Sequence, residues 1–312
     1  MSSNLLTDSR IYCSYSGLVK LQGQVNAFSF LPQLKAGTLL SGRHQSLFRG
    51  RGLNFEELRH YQRGDDIRNL DWKVTMRTGK PHVRAYTEEK DRNVIICVDQ
   101  RSSLFFSSVE IMKSVVAAEL AALSAWRVLK DSDRVGFVIA KPTSIDWHKP
   151  QRSRAHLLHR LQGLAQANQS LNVASQDSNN VSFQQFMKVL TQVASKGSTI
   201  IVLSDWQGAN ESDLNRLKQL QIHNDVLTVF ISDALEQQLP SQAKWVVGDG
   251  SHQLDISEQR KIKIANHSLQ QSQTMKQKQL LKLMATKGLP LLQLDTSGDH
   301  LAQFQRAMGV AQ

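Results

Sequence analysis

The sequence is poor in cysteine and has no long apolar run. Only two cysteines, Cys13 and Cys97, occur among its 312 residues, so neither a disulfide framework nor a cysteine-based zinc site is expected. No apolar run approaches the roughly eighteen residues of a membrane span, and the N-terminus lacks the basic start and apolar core of a signal peptide. We therefore expect a cytoplasmic protein in a reducing compartment.

Catalytic motifs are also missing. The sequence has no glycine-rich phosphate loop, so any ATP hydrolysis must belong to a partner. Its histidines lack the serine or cysteine contexts that form a catalytic triad. The histidines considered are His82, His148, His156, His159 and His300. We therefore expect no catalytic residues and a non-enzymatic protein.

Lysine and arginine outnumber aspartate and glutamate by 38 to 27, and the net charge is +11. Part of the excess lies between Ser257 and Lys287, where seven Lys or Arg residues accompany one acid, Glu258. Such a run is more often a solvated helix face than a binding surface. No interleaved aromatic residues suggest base stacking, so nucleic acid is not the expected partner. A nucleic-acid or anionic-surface binding protein stays open as an alternative.

Apolar runs alternate with amphipathic stretches from Asn93 onward. The run NVIICVD does not alternate with polar residues, as expected for a strand covered on both faces of a parallel sheet. Strands alternating with helices predict an α/β fold with a mostly parallel sheet and helices on both faces. Further strands are predicted at Arg134–Ala140, Ile145–His148, STIIVLSDW, Val226–Ile231 and Leu289–Leu294, with a hairpin at Trp245–Ile256. Helices are predicted at Glu110–Lys130, Gln151–Ala165, Ser182–Ala194, Glu211–Gln221 and Leu269–Lys287.

The pattern is different before Asn93. The stretch from Arg43 to Arg92 is dense in charge, is interrupted by glycines and lacks long apolar runs. It is expected to form a smaller lobe. The predicted division is residues 1–92 for the N-terminal segment and this lobe, and residues 93–312 for the sheet domain.

The charged stretch resembles a known bacterial family. GRGLNFEELRHYQRGDDIRNLDWK, followed by the strand that ends in Asp99, closely resembles the family catalogued as domain of unknown function 58. The matching residues are Gly50, Arg51, Gly52, Phe55, Glu56, Arg59, Tyr61, Gly64, Asp65, Arg68, Asp71 and Trp72. The resemblance continues through DSDRVGFVIA and IIVLSDW, and so covers roughly residues 43–205.

This resemblance implies a von Willebrand factor A-like sheet and a protein usually encoded beside a MoxR-type AAA+ ATPase. It further implies that the chain acts with that ATPase as an adaptor in the maturation or remodelling of other proteins. The expected function is therefore that of a non-enzymatic protein-interaction module.

The carboxyl ends of the strands form the expected binding edge, because ligands of open α/β sheets bind there. Von Willebrand A domains that bind metal use Asp-x-Ser-x-Ser at this edge, a Thr from a second loop and an Asp from a third, whose oxygens suit Mg²⁺. In this sequence Asp99 and Ser103 match, and Arg101 replaces the middle Ser. Asp205 matches the third loop.

The second loop, SQDSNNVSF, contains no Thr, and its nearest hydroxyls are Ser178 and Ser182. With two of five ligands altered, no metal is expected, and any weak Mg²⁺ binding would use Asp99, Ser103 and Asp205. Arg101 could lie between Asp99 and Asp205 and supply the charge of a metal, or it could point to solvent. The expected partner-binding loop comprises Asp99, Arg101, Ser102, Ser103 and Asp205.

The lobe carries three acids among several cations. Asp65, Asp66 and Asp71 alternate with arginines and a lysine, which predicts an ion-pair network that locks the lobe against the sheet. A metal-dependent hydrolase that uses these three acids is the alternative. Trp72 is expected to anchor the lobe through apolar burial. The signature residues assigned to the lobe are Arg51, Glu56, Arg59, Tyr61, Asp65, Arg68, Asp71 and Trp72.

Overall fold

The computed structural model describes residues 8–30, 53–88, 91–172, 181–240, 245–248, 253–256, 259–286 and 291–309. The chain divides into two compact units. The sheet domain contains the residues from Asn93 onward together with the N-terminal segment, and the lobe lies within Lys35–Arg92.

The helices and strands are numbered in chain order. The helices are α1 (Tyr15–Lys20), α2 (Trp72–Thr78), α3 (Lys113–Lys130), α4 (Arg154–Gln169), α5 (Phe183–Val193), α6 (Glu211–Gln221), α7 (Ala234–Gln237), α8 (Gln259–Ala285) and α9 (His300–Met308). The strands are β1 (Leu53–His60), β2 (His82–Glu88), β3 (Asn93–Asp99), β4 (Arg134–Ala140), β5 (Ile145–Gln151), β6 (Thr199–Ser204), β7 (Asp225–Ile231), β8 (Trp245–Gly248), β9 (Gln253–Ile256) and β10 (Leu292–Leu294).

Six strands form the main sheet, in the order β10-β7-β6-β3-β4-β5. All neighbours run parallel except β4 and β5, which are antiparallel. Helices flank this sheet, and β8 pairs with β9 in a separate antiparallel hairpin. The predicted von Willebrand factor A-like α/β fold is therefore confirmed.

The central strands are apolar on both faces because both faces are covered. Ile95, Ile96 and Cys97 of β3 have no exposed surface. Helix α3 is buried along nearly its whole length. The unbroken apolar run that predicted β3 is the expected composition of a strand in this position.

The N-terminal segment packs within the sheet domain. The Trp126 Nε1 group of α3 donates a hydrogen bond to the Leu18 carbonyl (3.0 Å), and Arg127 donates to the Phe28 carbonyl (2.6 Å). Phe28 also makes an edge contact with Phe304 of α9. Residues 8–30 therefore lie in the sheet domain, whereas the predicted division had grouped them with the lobe.

Most element boundaries agree with the predicted ones to within a few residues. The largest difference is helix α8, which begins at Gln259 rather than Leu269. The predicted start of the last strand, Leu289, lies outside the described residues. No helix in the described part of the chain is long and apolar enough to cross a membrane.

The lobe is built on an antiparallel hairpin. Strand β1 pairs with β2 from Leu53↔Glu88 to His60↔His82, and α2 lies in the connection between them. Asp71 caps α2 by accepting a hydrogen bond from the Val74 amide (3.1 Å). Gly79 ends the helix at φ 68°, in the left-handed region that glycine adopts without a Cβ clash.

Candidate functional site

Two buried aspartates meet at the carboxyl edge of the sheet. Asp99 ends β3, and Asp205 follows β6, which pairs with β3 in parallel. Asp99 has no exposed surface, and the Ser204 hydroxyl donates to its Oδ2 atom at 2.7 Å. The sheet register therefore brings together the two acids that the sequence analysis singled out.

Arg101 is buried against Asp99 and does not point to solvent. Its Nε and Nη2 groups donate to the two carboxylate oxygens at 2.9 and 2.8 Å, a bidentate pair. The Arg101 amide also donates to Asp99 Oδ1, and Nη2 donates to the Gln207 carbonyl. The guanidinium lies over the Phe183 ring at 5.3 Å, which adds a cation–π contact.

A second cation, which the sequence analysis missed, pairs with Asp205. Lys113, the first residue of α3, donates from Nζ to Asp205 Oδ2 at 2.9 Å and also to Glu236. Only 1% of the Lys113 side chain is exposed. The predicted bridge by Arg101 is therefore replaced by two neighbouring pairs, because Lys113 reaches Asp205 from the helix.

Ion pairing at the sheet edge favours the charged forms of Arg101, Lys113 and Asp205. Burial acts against the charge on Arg101 and Lys113, but the adjacent carboxylates outweigh it, so the pKa of each cation is raised. Burial acts to raise the pKa of Asp205, yet Lys113, the Gln207 amide and Arg101 lower it overall. The edge therefore holds a set of fixed charges that neutralise one another.

The residues at this edge do not fit a metal ion. A metal would need carboxylate oxygens that are free to bind it. Instead, the Asp99 carboxylate already accepts hydrogen bonds from Arg101 and Ser204. The Asp205 carboxylate accepts them from Lys113 and the Gln207 amide. The Ser182 hydroxyl accepts a hydrogen bond from Gln185 as the cap of α5, and Ser178 lies outside the described residues. Among described residues, no group of three His, Cys, Asp or Glu side chains is arranged to hold a metal.

An open cleft of about 300 Å³ adjoins the buried charges. Its lining residues are Arg101, Ser102, Ser103, Val181, Ser182, Phe183, Gln207 and Gly208. Three residues of the predicted partner-binding loop therefore lie on it, whereas Asp99 and Asp205 lie buried behind it. Ser103 links the two groups, since its hydroxyl is 3.4 Å from Asp205 Oδ1.

The basic helix α8 contributes one lysine to this region. Lys276 Nζ donates to the Gln207 side-chain oxygen at 3.0 Å. Burial lowers the Lys276 pKa, although Asp205 and Glu236 act in the opposite direction. The other described cations of the segment are exposed, as a solvated helix face requires: Arg260, Lys261, Lys263, Lys278 and Lys282.

The three lobe acids are all engaged within the lobe. Asp65 forms a bidentate pair with Arg59 (2.7 and 2.8 Å), which contributes most to lowering the Asp65 pKa. Asp66 is 3.2 Å from Arg68. Asp71 caps α2. The hydrogen bond that it accepts from the Val74 amide lowers the Asp71 pKa most, followed by the pair with Arg84. These pairs join residues of the lobe to one another.

Trp72 is not a buried anchor, and that prediction was wrong. Trp72, the first residue of α2, is 63% exposed. Met76, one turn later, is 83% exposed. Four lobe cations have no ion-pair partner among the described residues and are exposed as well: Arg63, Lys73, Arg77 and Lys80.

The remaining signature residues are placed only in part. Tyr61 is partly buried, and its amide donates to the Pro81 carbonyl at 2.9 Å. Arg51 lies outside the described residues, as does the side chain of Glu56 in β1. Among the residues that sequence reasoning missed, Lys113 had a usable signal: it is a cation within the predicted helix after the Asp99 loop.

Comparisons with known proteins agree with the signature. The model of the family described as "Protein of unknown function DUF58" matches residues 57–279, well over half of the chain. The chain is 24% identical over 287 residues, 92% of its length, to 88% of the uncharacterized protein Rv1480 of Mycobacterium tuberculosis. The uncharacterized protein Mb1516 of Mycobacterium bovis matches to the same extent.

A solved structure is also similar, the conserved hypothetical protein BatB from Bacteroides thetaiotaomicron. It matches with a TM-score of 0.35 and 13% identity, over 62% of this chain and 98% of that chain. The family match rests on more than half of the sequence, including most of the lobe and the loop after Asp99. The chain therefore belongs to the DUF58 family, whose function is unknown.

Proposed function

We propose that the chain is a non-enzymatic protein-interaction module whose sheet edge binds a carboxylate of a protein partner. The position of Arg101 carries this proposal. Its guanidinium pairs with Asp99 on the buried side and lines the open cleft on the other. No hydrogen bond from Nη1 is present among the described residues, so donors remain for a partner.

The comparison with metal-dependent domains explains the chemistry. In those domains the metal leaves one position for a carboxylate of the partner. A guanidinium in the same place also carries positive charge and favours planar, bidentate carboxylate binding. Ser103 and Gln207 line the same cleft and add polar groups around the incoming acid.

A MoxR-type AAA+ ATPase in the cytoplasm is the partner we propose, as the family resemblance implies. The module would connect that ATPase to proteins that it matures or remodels. The non-enzymatic part is supported by the lobe, where Asp65, Asp66 and Asp71 each face an arginine. A hydrolase of the two-metal type needs such carboxylates to bind the ions.

The test is capture of partners from the native cytoplasm, with and without ATP, identified by mass spectrometry. Gln207→Glu places a carboxylate at the cleft with little change in size, and should reduce capture of the ATPase without lowering the melting temperature. Gln219→Glu, on an exposed position of α6, is the matched control.

The outcomes separate the two parts of the proposal. If Gln207→Glu captures the same ATPase as efficiently as the unmodified chain, the cleft is not the binding surface. If no AAA+ ATPase is recovered with or without ATP, the proposed partner is wrong.

A further inference from the structure

A second cavity of the sheet domain lies between edge strand β5 and helix α4. Its volume is about 230 Å³, and it shares no lining residue with the cleft at Arg101. It is lined by Val135, Trp147, His148, Lys149, Gln151, His156, Leu157 and Arg160. Four of these side chains are cations or histidines, and none is a carboxylate.

The geometry at the cavity wall is that of an arginine facing a histidine. Arg160 Nη1 lies 2.7 Å from His148 Nδ1 and 3.1 Å from its Nε2, so an unprotonated nitrogen of the ring can accept a hydrogen bond from the guanidinium. In the described part of the chain, neither Arg160 nor Lys149 has a carboxylate within ion-pair distance. The cavity therefore concentrates positive charge that no acid of the lining compensates.

We propose that this cavity binds a phosphoryl group. Side chains with donor groups line it from both β5 and α4. A tetrahedral oxyanion can accept from several donors at once, whereas a single carboxylate is satisfied by one arginine. The volume accommodates a phosphoryl group together with part of the molecule that carries it. The same chemistry is offered by a free phosphate and by a phosphorylated side chain of a protein.

Protonation of His148 should couple to this binding. Burial, and next Arg160, lower the His148 pKa; Asp146 acts in the opposite direction, and His159 and Lys141 act with Arg160. A bound dianion adds negative charge beside the ring and favours the protonated form. Affinity should therefore rise as the pH falls through the His148 pKa.

Sulfate is the first probe, because it stays a dianion over the range in which histidines titrate. Binding is measured by calorimetry at pH 6 and pH 8 at constant ionic strength, and the His148 ring is followed by NMR. We expect tighter binding at pH 6 and a raised His148 pKa in sulfate. Arg160→Gln should lower the affinity by about tenfold, as expected for a lost charge-assisted hydrogen bond.

Controls make the result specific. Lys149→Gln, at an exposed position, should weaken binding less and is expected to fold normally. Arg306→Gln removes the same charge from an exposed position of α9 and should leave the affinity unchanged. The proposal is overturned if Arg160→Gln binds sulfate as tightly as the unmodified chain, or if binding is stronger at pH 8.

The source of the phosphoryl group is then distinguished with two ligands. Tighter binding of a phosphoserine peptide than of inorganic phosphate supports a phosphoprotein, and the reverse supports free phosphate. An unphosphorylated acidic peptide that binds as tightly as either one contradicts the phosphoryl assignment.

Discussion

The edge of the sheet and the lobe place their residues in opposite ways. At the sheet edge, charged side chains are inside: Lys113 and Asp99 have almost no exposed surface. In the lobe, large apolar side chains are outside, with Trp72 and Met76 mostly exposed. The difference teaches that residue type alone does not decide burial in this protein.

Ion pairing accounts for the buried charges of the sheet edge, and the small size of the lobe accounts for its exposed apolar side chains. The buried charges persist because each has an opposite charge within hydrogen-bonding distance, so none is desolvated alone. The lobe contains a two-stranded hairpin and a helix of seven residues, and such a small unit cannot cover every apolar side chain. Variants in the two regions should therefore behave differently.

The largest effect is expected for Lys113→Met. Removing the ammonium leaves Asp205 buried without its main cation, which should lower the free energy of unfolding by about 3–5 kcal/mol. Denaturant unfolding measures it. Adding Asp205→Asn should recover part of the loss, because the uncompensated charge is then gone. A double variant less stable than Lys113→Met would contradict this account.

Arg101→Ser should have a smaller effect, about 2 kcal/mol, because Ser204 and the backbone amide of residue 101 still donate to Asp99. The substitution restores the hydroxyl of the metal-binding pattern. Mg²⁺ should nevertheless give no thermal stabilisation, since Lys113 still occupies Asp205.

The double variant Arg101→Ser with Lys113→Ser sharpens this test. With both cations removed, millimolar Mg²⁺ should raise its melting temperature relative to chelator through binding to the folded state. Micromolar Mg²⁺ binding by the unmodified chain would contradict the idea that these two cations replace a metal.

Acid should weaken the sheet edge through Asp205. Its pKa is lowered in the folded state, so its stabilising contribution is present above the unfolded pKa of about 3.9 and is lost as the pH falls towards the folded value. Urea unfolding at pH 7, 4 and 3 measures the loss. The Lys113→Met/Asp205→Asn variant should show a flatter dependence, and parallel curves would exclude this role for Asp205.

The smallest effect on stability is expected for Trp72→Ala, below about 0.5 kcal/mol, as for most exposed positions. Trp126→Ala is the matched control: this indole is buried in α3, and its loss should cost about 3–5 kcal/mol. If Trp72→Ala is as destabilising as Trp126→Ala, Trp72 is covered in solution. If it is stable but captures less partner, the exposed face of α2 is a contact surface.

The fold could be predicted from sequence to a large extent. The bounds of β4 and α6 agree with the predicted ones, since an apolar run and a helical period are local signals. The segment 8–30 could not be predicted, because its few apolar residues acquire meaning only against α3 and α9. Trp72 was misplaced for the opposite reason: a tryptophan suggests burial, but among the described residues Trp72 is mostly exposed.

The sequence by itself determined which strands end in acids and that Arg101 stands where a metal-binding domain has a serine. Only the tertiary structure decided how those charges are neutralised. Lys113 begins α3, and it pairs with two acids from distant parts of the chain, Asp205 after β6 and Glu236 in α7. The parallel pairing of β3 with β6 sets Asp205 beside the Asp99 loop. Charge pairing depends on distances of a few ångströms, which spacing along a sequence does not encode.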